Sequence, residues 1–298
     1  DYDCFYFIAD YHSLTTIHDA KEFRYYMNEV AASWIALGLD PNKATLYRQS
    51  DVPEILELNW ILSCFTAKGL MNRAHAYKAL TQENIDKRKD PDWGVNMGLY
   101  SYPVLMSSDI LFLESDVVPV GSDQLQHIEI CRDIAMAFNY HYGEVLKLPE
   151  ALVRDDQALV PGLDGRKMSK SYHNHIPIFL TQKKLKKTIN KITTDSTPPE
   201  EPKDPEDSLI FDMYKLFAKP EEAQELEKWY RQGISWGEAK AELFKVVDRD
   251  LEKPREIYQD LMADPEKIDG ILEQGRDRVR PKAQEVLKKV KNAIGIPS

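Results

Sequence analysis

Apolar residues follow two rhythms along this chain, and the switch between them is the first guide to its fold. Cys4-Phe5-Tyr6-Phe7-Ile8-Ala9 is a short apolar and aromatic run stopped by the polar residues Asp10 to His12, which predicts a buried strand. Ala44 to Tyr47 is a second candidate strand. Between them Phe23, Met27, Val30, Ala31 and Trp34 recur at helical spacing, so the order strand, helix, strand predicts a parallel sheet with a right-handed crossover. Residues 51 to 116 are mostly helical by pattern, with an interruption around Asp90-Pro91-Asp92-Trp93-Gly94. The β-branched run at Val117-Val118-Pro119-Val120 then stops at Gly121, and Ser122 stands where a helix N-cap belongs. Ile128, Cys131, Ile134 and Phe138 share one face of the helix that should come next. Beyond Ser171, Pro198, Pro199, Pro202 and Pro205 lie among acids and mark a loop, after which the pattern is almost wholly helical to Ile294. There Leu209, Met213, Leu216 and Phe217 form one apolar face, and Leu243, Val246, Val247 and Leu251 another. The fold class read from this order is α/β, with a helical second domain. The chain has no internal repeat and no low-complexity tract.

Composition narrows the classes of function. With 298 residues, the chain can bury a substantial core and fits one large domain with a smaller one. No apolar run approaches the length that spans a bilayer, and the first residues are too acidic and aromatic for a signal peptide, so no membrane partner and a cytoplasmic location are expected. Cys4, Cys64 and Cys131 are few, odd in number and far apart, which indicates neither a disulfide framework nor a metal site. Cys4 and Cys131 lie in apolar segments and are expected to be buried. A formal net charge of −10 argues against nucleic-acid binding by overall attraction, but local patches can still make it. Lys183, Lys184, Lys186, Lys187 and Lys191 form one basic run; Arg276, Arg278, Arg280, Lys282, Lys288, Lys289 and Lys291 form another. Each is either a solvated helix face or a contact for phosphates.

Chemistry concentrates in two segments. Lys167-Met168-Ser169-Lys170-Ser171 puts two ammonium groups and two hydroxyls within five residues, preceded by Gly162 and Gly165 as expected hinges. Flexible point charges on a mobile loop can follow charge as it moves along a polyphosphate. Upstream, Gly121-Ser122-Asp123-Gln124-Leu125-Gln126-His127 sits at a strand-turn-helix junction. Ligands of open α/β sheets lie outside the carboxyl ends of strands, and there Asp123 supplies an acceptor-only carboxylate and Gln124 an amide that both donates and accepts.

Together these segments resemble the class I aminoacyl-tRNA synthetases, and within them the bacterial tryptophanyl branch. The likeness extends to Ile8-Ala9-Asp10-Tyr11-His12, Gly38-Leu39-Asp40-Pro41, Tyr102-Pro103, Met106-Ser107-Ser108-Asp109, Arg132-Asp133-Ile134-Ala135 and Thr193-Thr194-Asp195-Ser196, in order over nearly the whole chain. It implies a Rossmann-like catalytic domain over residues 1–165 with a helical connective insertion at about 51–116, and a signature loop with an anticodon-binding helical domain over 166–298, an approximate boundary because the last helix can pack back on the first domain. It also implies activation of L-tryptophan by ATP with Mg²⁺, transfer to tRNA(Trp), and a homodimer. Some members carry an iron-sulfur cluster; the absence of Cys-x-x-Cys here predicts none.

The resemblance assigns roles residue by residue. Lys167 and Lys170, assisted by Ser169, would stabilise charge on the phosphates, Met168 would offer backbone groups to adenine, and Lys78 would stand near pyrophosphate unless it is simply an exposed helix lysine. Asp123 would hold ribose hydroxyls, with Gly121 allowing close approach, and Gln124 with Tyr102 would meet the substrate ammonium. Indole donates a hydrogen bond and does not accept one, so its site needs an acceptor, for which Asp109 is the candidate; the alternative is that Asp109 caps a following helix. Met106, Val118 and Val120 would wall the ring, and His12 would line the same pocket.

Two departures stand against the resemblance. The family's first signature, a His-Ile-Gly-His-like or Thr-Ile-Gly-Asn-like turn, belongs before the strand at Cys4, and nothing here matches it. A preceding segment outside this sequence is the expectation; a chain complete as written would be poor at adenylation. Tyr172-His173 replaces the Asp-Pro that often comes after the lysine loop. The alternatives kept open are a tyrosyl enzyme, against which His127 and Arg132-Asp133 count, and a non-catalytic tryptophan- or RNA-binding module, against which the intact lysine loop counts.

Overall fold

The computed structural model describes residues 2–153 and 160–297, so Asp1, where the sequence opens, lies outside the described residues. Two pairs of parallel strands organise the first part of the chain. The first pair is β1 (Phe5–Ile8) and β2 (Thr45–Arg48), in register from Phe5 opposite Thr45 to Ile8 opposite Arg48. The second pair is β3 (Val117–Val120) and β4 (Glu150–Val153). Parallel partners need a crossover between them. For the first pair it runs through α1 (Asp10–Ser13) and α2 (Ala20–Ala36), and for the second through α7 (Leu125–Tyr142). The helical stretch expected over 51–116 comprises α3 (Glu54–Ser63), α4 (Lys68–Met71), α5 (His75–Asp86) and α6 (Met97–Leu111). Then come α8 (Gln182–Ile189), α9 (Leu209–Lys215), α10 (Pro220–Gln232), α11 (Trp236–Ala263) and α12 (Pro265–Ala293).

The chain groups into two units. One comprises Asp1–Ala31, Leu39–Asp155 and Asp264–Ser298; the other comprises Ala32–Gly38 and Asp156–Ala263. Each has its own core. In the first, Ile128, Cys131, Ile134 and Phe138 of α7 are buried with Tyr47, Leu58, Leu62, Val104 and Leu111, so the face read from the spacing is the buried one. In the second, Leu185 and Ile189 of α8 pack with Met213, Tyr230, Leu243, Val246 and Val247.

Several local expectations change. Cys4 is only half-buried and Tyr6 is 41% exposed, because β1 has β2 as its one paired neighbour among the described residues. The face of α9 is rotated: Ile210, Phe211, Met213 and Tyr214 are buried, whereas Leu216 lies past the helix end and is exposed. Ser122 caps nothing; it opens a short 3₁₀ turn, Ser122–Gln124, before α7. In the observed grouping α12 belongs with the first unit and lies across β2.

The contact of α12 with β2 depends on Gly275. A Cβ there would stand 1.8 Å from the carbonyl oxygen of Leu46 and 2.5 Å from its carbon, atoms of a paired strand that cannot step aside. In an open helix, replacing glycine by alanine stabilises by about 0.5–1 kcal/mol. Here overpacking reverses the sign, and Gly275→Ala should destabilise the protein by about 1–3 kcal/mol in urea unfolding. A midpoint that rises would mean the helix does not touch the strand.

The same helix corrects the reading of the second basic run. Arg280 pairs with Glu54, Lys282 and Lys289 with Glu114, Lys291 with Glu57 and Arg276 with its neighbour Asp277, while Arg278 donates to the carbonyl of Pro41. These cations mostly face acids and carbonyls of α3, the end of α6 and the loop before β2. They tie α12 to its own unit, and only Lys288 of the run has no such partner among the described residues.

Candidate active site

The carboxyl ends of β1 and β2 point the same way, and the segments that leave the two strands meet at that end. Asp10 and His12 come after β1; Gln49 and Ser50 come after β2. Asp10 is buried, and its Oδ1 accepts the N–H of Tyr11 at 2.9 Å and that of Ser50 at 3.0 Å, which joins the two strand ends. Burial pushes its carboxyl above the ordinary value, against those hydrogen bonds.

Onto this end α6 brings one face. Tyr102, Met106 and Asp109 are spaced i, i+4, i+7 and therefore line one side of the helix. Asp109 lies near the carboxyl end of α6 and caps no helix, which removes the alternative read from sequence. It is 1% exposed. His12 Nε2 lies 2.9 Å from its Oδ2, and Gln49 Nε2 donates to Oδ1 at 2.7 Å and to Oδ2 at 2.9 Å. Desolvation raises its pKa above the ordinary 3.8, more than His12 and Gln49 lower it. A buried carboxylate held by two donors retains capacity for a third.

Met106, Val118 and Val120 are half-buried against the first core. The Tyr102 hydroxyl lies 2.9 Å from His127 Nε2. Burial lowers the pKa of His127, helped by His75, so the imidazole is neutral near pH 7, and its Nδ1 is buried without a partner among the described residues. Gln124 lies beside Asp123, 3.4 Å from Nε2 to Oδ2, and Asp123 is exposed. A Cβ on Gly121 would stand 2.6 Å from Asp123 Oδ1, so a side chain there would push that carboxylate aside. Lys78 is exposed on α5 with no ion pair among the described residues.

The lysine loop belongs to the second unit and is built around Asn174. Buried at 3% exposure, Asn174 accepts the N–H of Ser169 at 2.8 Å and donates to Asp164 Oδ1 at 2.7 Å and to the Lys167 carbonyl at 3.2 Å. Pro161 and Lys167 form an antiparallel bridge, and Met168 N–H donates to Val160. Asn174 and Arg166 together hold the Asp164 carboxyl down to about 2. The two glycines differ from expectation. Gly165 takes a positive φ of 80°, but Gly162 is buried, and a Cβ on it would strike Asn174 at 2.2 Å, so it serves packing. Arg166 pairs with Asp164 and lies over the Tyr172 ring, whereas Lys167 and Lys170 are exposed and have no carboxylate partner among the described residues. Met168 turns its side chain to the second core, and Ser169 Oγ is 2.7 Å from Ser171 Oγ.

Sequence reasoning missed Gln49 and Asn174. Gln49 had one visible signal, its place directly after a strand; Asn174 had none.

The chain matches the family model described as tRNA synthetases class I (W and Y) over residues 1–289. It is 50% identical over 297 residues to a tryptophan–tRNA ligase of Neisseria meningitidis, covering 99% of this chain and 88% of that one. A tryptophan–tRNA ligase of Pseudomonas aeruginosa is 48% identical over 301 residues, which cover 100% of this chain and 67% of that protein. Among solved structures, tryptophanyl-tRNA synthetase from Campylobacter jejuni complexed with ADP and tryptophan superposes with a TM-score of 0.90 at 43% identity, covering 97% of this chain and 89% of that one. By sequence and by fold, the chain belongs to the class I tRNA synthetases of the tryptophan and tyrosine group.

Proposed function

We propose that the protein activates L-tryptophan with ATP to tryptophanyl-adenylate and transfers tryptophan to tRNA(Trp), releasing AMP and pyrophosphate. The observation that carries this is half-identity to a tryptophan–tRNA ligase across 99% of the chain. In the activation step the substrate carboxylate attacks the α-phosphate and pyrophosphate leaves, so catalysis rests on alignment and on cations facing the phosphates. Lys167 and Lys170 supply those cations, with Ser169 as a hydroxyl donor and Lys78 near pyrophosphate. Asp123 receives ribose hydroxyls beside Gly121, the backbone of Met168 faces adenine, and ATP carries Mg²⁺ on its phosphates. Asp109 accepts the indole N–H, Met106, Val118 and Val120 wall the ring with His12 beside them, and Tyr102 with Gln124 meets the ammonium. Pyrophosphate exchange dependent on tryptophan, and not on tyrosine, tests this; exchange driven by tyrosine would overturn it.

Transfer requires a surface for RNA. Lys183, Lys184, Lys186, Lys187 and Lys191 are exposed on and just after α8, which is anchored by buried Leu185 and Ile189, and no carboxylate pairs with them among the described residues. The phosphate contact belongs there, within a helical domain that reads the anticodon, since all but Lys288 of the α12 cations already meet an acid or a carbonyl. Lys183→Glu with Lys187→Glu should weaken tRNA(Trp) binding and lower the salt slope by about 2, while pyrophosphate exchange, which needs no tRNA, is unchanged. Intact binding would make this run a solvated face.

A cytoplasmic homodimer completes the proposal. No described helix is long and apolar enough to cross a membrane. Leu56, Trp60, Ile85, Trp93 and Met97 are exposed apolar side chains within 51–116 that a second copy could cover. A solution mass of one chain would remove the dimer from the proposal.

A further inference from the structure

Gln49 is fully buried, and a buried primary amide must place an acceptor and its donors on protein partners. Its Oε1 accepts the N–H of Tyr11 at 3.1 Å, which fixes the amide from the β1 side. Its Nε2 straddles the two oxygens of Asp109 at 2.7 and 2.9 Å and so fixes the plane of that carboxylate. His12 Nε2, 2.9 Å from Oδ2, carries the ring proton while Asp109 is ionised. A carboxylate offers about four lone-pair sites, two on each oxygen. On Oδ2 both are taken, by His12 and Gln49; on Oδ1 one is taken, by Gln49.

We propose that Gln49 is the positioning residue for amino-acid specificity: with His12, it leaves Asp109 a single open acceptor site, on Oδ1, aimed for a ring N–H. This rests on the reading of Asp109 as the indole acceptor. A ligand lacking the N–H leaves that site of a buried carboxylate unfilled, and such a mismatch discriminates more strongly than a missing methylene. The residue must be a neutral donor. Methionine would fill similar space without donating. Glutamate would bring a second carboxyl against Asp109, and the two could stay together only by sharing a proton.

Calorimetry with tryptophan and with benzothienyl-alanine, whose ring carries sulfur in place of N–H, tests this on the native protein, Gln49→Met, Gln49→Glu and Asp109→Ala. Gln49→Met should weaken tryptophan roughly tenfold, near the lower end for a hydrogen bond to a charged group, and leave benzothienyl-alanine nearly unchanged. Gln49→Glu should bind tryptophan well at low pH, where its protonated carboxyl donates as the amide did, and lose affinity as pH rises and that proton leaves. Equal weakening of both ligands by Gln49→Met, or pH-indifferent binding by Gln49→Glu, would reduce Gln49 to a packing residue and overturn the proposal while the reading of Asp109 stands. A native protein without preference between the two ligands, or Asp109→Ala that keeps the preference, would overturn the reading of Asp109 and this proposal with it. If Gln49→Met does not fold, the pH series on Gln49→Glu decides.

Discussion

Lys170→Ala is expected to slow tryptophanyl-adenylate formation by roughly 10²–10³-fold, the usual loss when one preorganised group facing developing charge is removed. Tryptophan binding should stay within about twofold, because an interaction made only with the transition state lowers kcat without weakening the ground-state complex. The loop explains why the effect should be specific. Three cations sit within five residues, but Arg166 is held by Asp164 and stacked on Tyr172, leaving Lys167 and Lys170 as the ones whose charge is not already neutralised by a carboxylate among the described residues. Their backbone is set by Asn174, which binds Ser169 N–H and the Lys167 carbonyl, so the alanine variant should keep the loop's shape. Single-turnover adenylate formation and calorimetry with tryptophan give the two quantities separately. Equal losses in both would mean that Lys170 serves the fold or uniform binding, and the role assigned to it would fall.

The parts of this molecule that were legible in the sequence are those set by neighbours along the chain. The face of α7 comes from three- and four-residue spacings, and the strands read at Cys4 to Ala9 and at Ala44 to Tyr47 lie within one residue of β1 and β2 at each end. Tyr102, Met106 and Asp109 entered singly through the resemblance, and that they share one face of α6 was not read. Partnerships between distant residues could not be read. Gln49 meets Asp109 across 60 positions, and no pattern local to either one announces it. The C-terminal basic run stayed open between a solvated face and a contact for phosphate because composition counts cations without their acids; Glu54 and Glu114 lie 226 and 168 residues from the partners they hold. Cys4 and Leu216 were misjudged for a related reason. Burial depends on whether a second element covers the residue, and period alone does not say so. Gly162 was read as a hinge from its residue type, whereas its contact with Asn174 makes it a position where only a missing side chain fits.

Asp109→Ala should cost about 1.5–3 kcal/mol of tryptophan binding, the worth of a hydrogen bond to a charged group, and should change stability much less. The sign of the pKa shift supports the second half. A carboxyl whose folded pKa is raised above its unfolded value stabilises the fold when protonated, and that contribution is lost as pH rises through the folded pKa. Asp109 is such a group, raised above 3.8 by burial, so above that raised pKa its ionised form is a burden on the fold. Removing it relieves that burden and orphans the donors of Gln49 and His12, two effects of opposite sign. Binding has no such offset. The ionised form accepts the indole N–H more strongly than the protonated one, so tryptophan affinity of the native protein should also fall as pH drops through the raised pKa of Asp109, while the alanine variant should show no such fall. Calorimetry across that range on both proteins, beside thermal unfolding at neutral pH, gives the comparison. An alanine variant with native affinity and a greatly lowered melting temperature would make Asp109 a structural link between α6 and the ends of β1 and β2, and the indole nitrogen would have to be read by another acceptor.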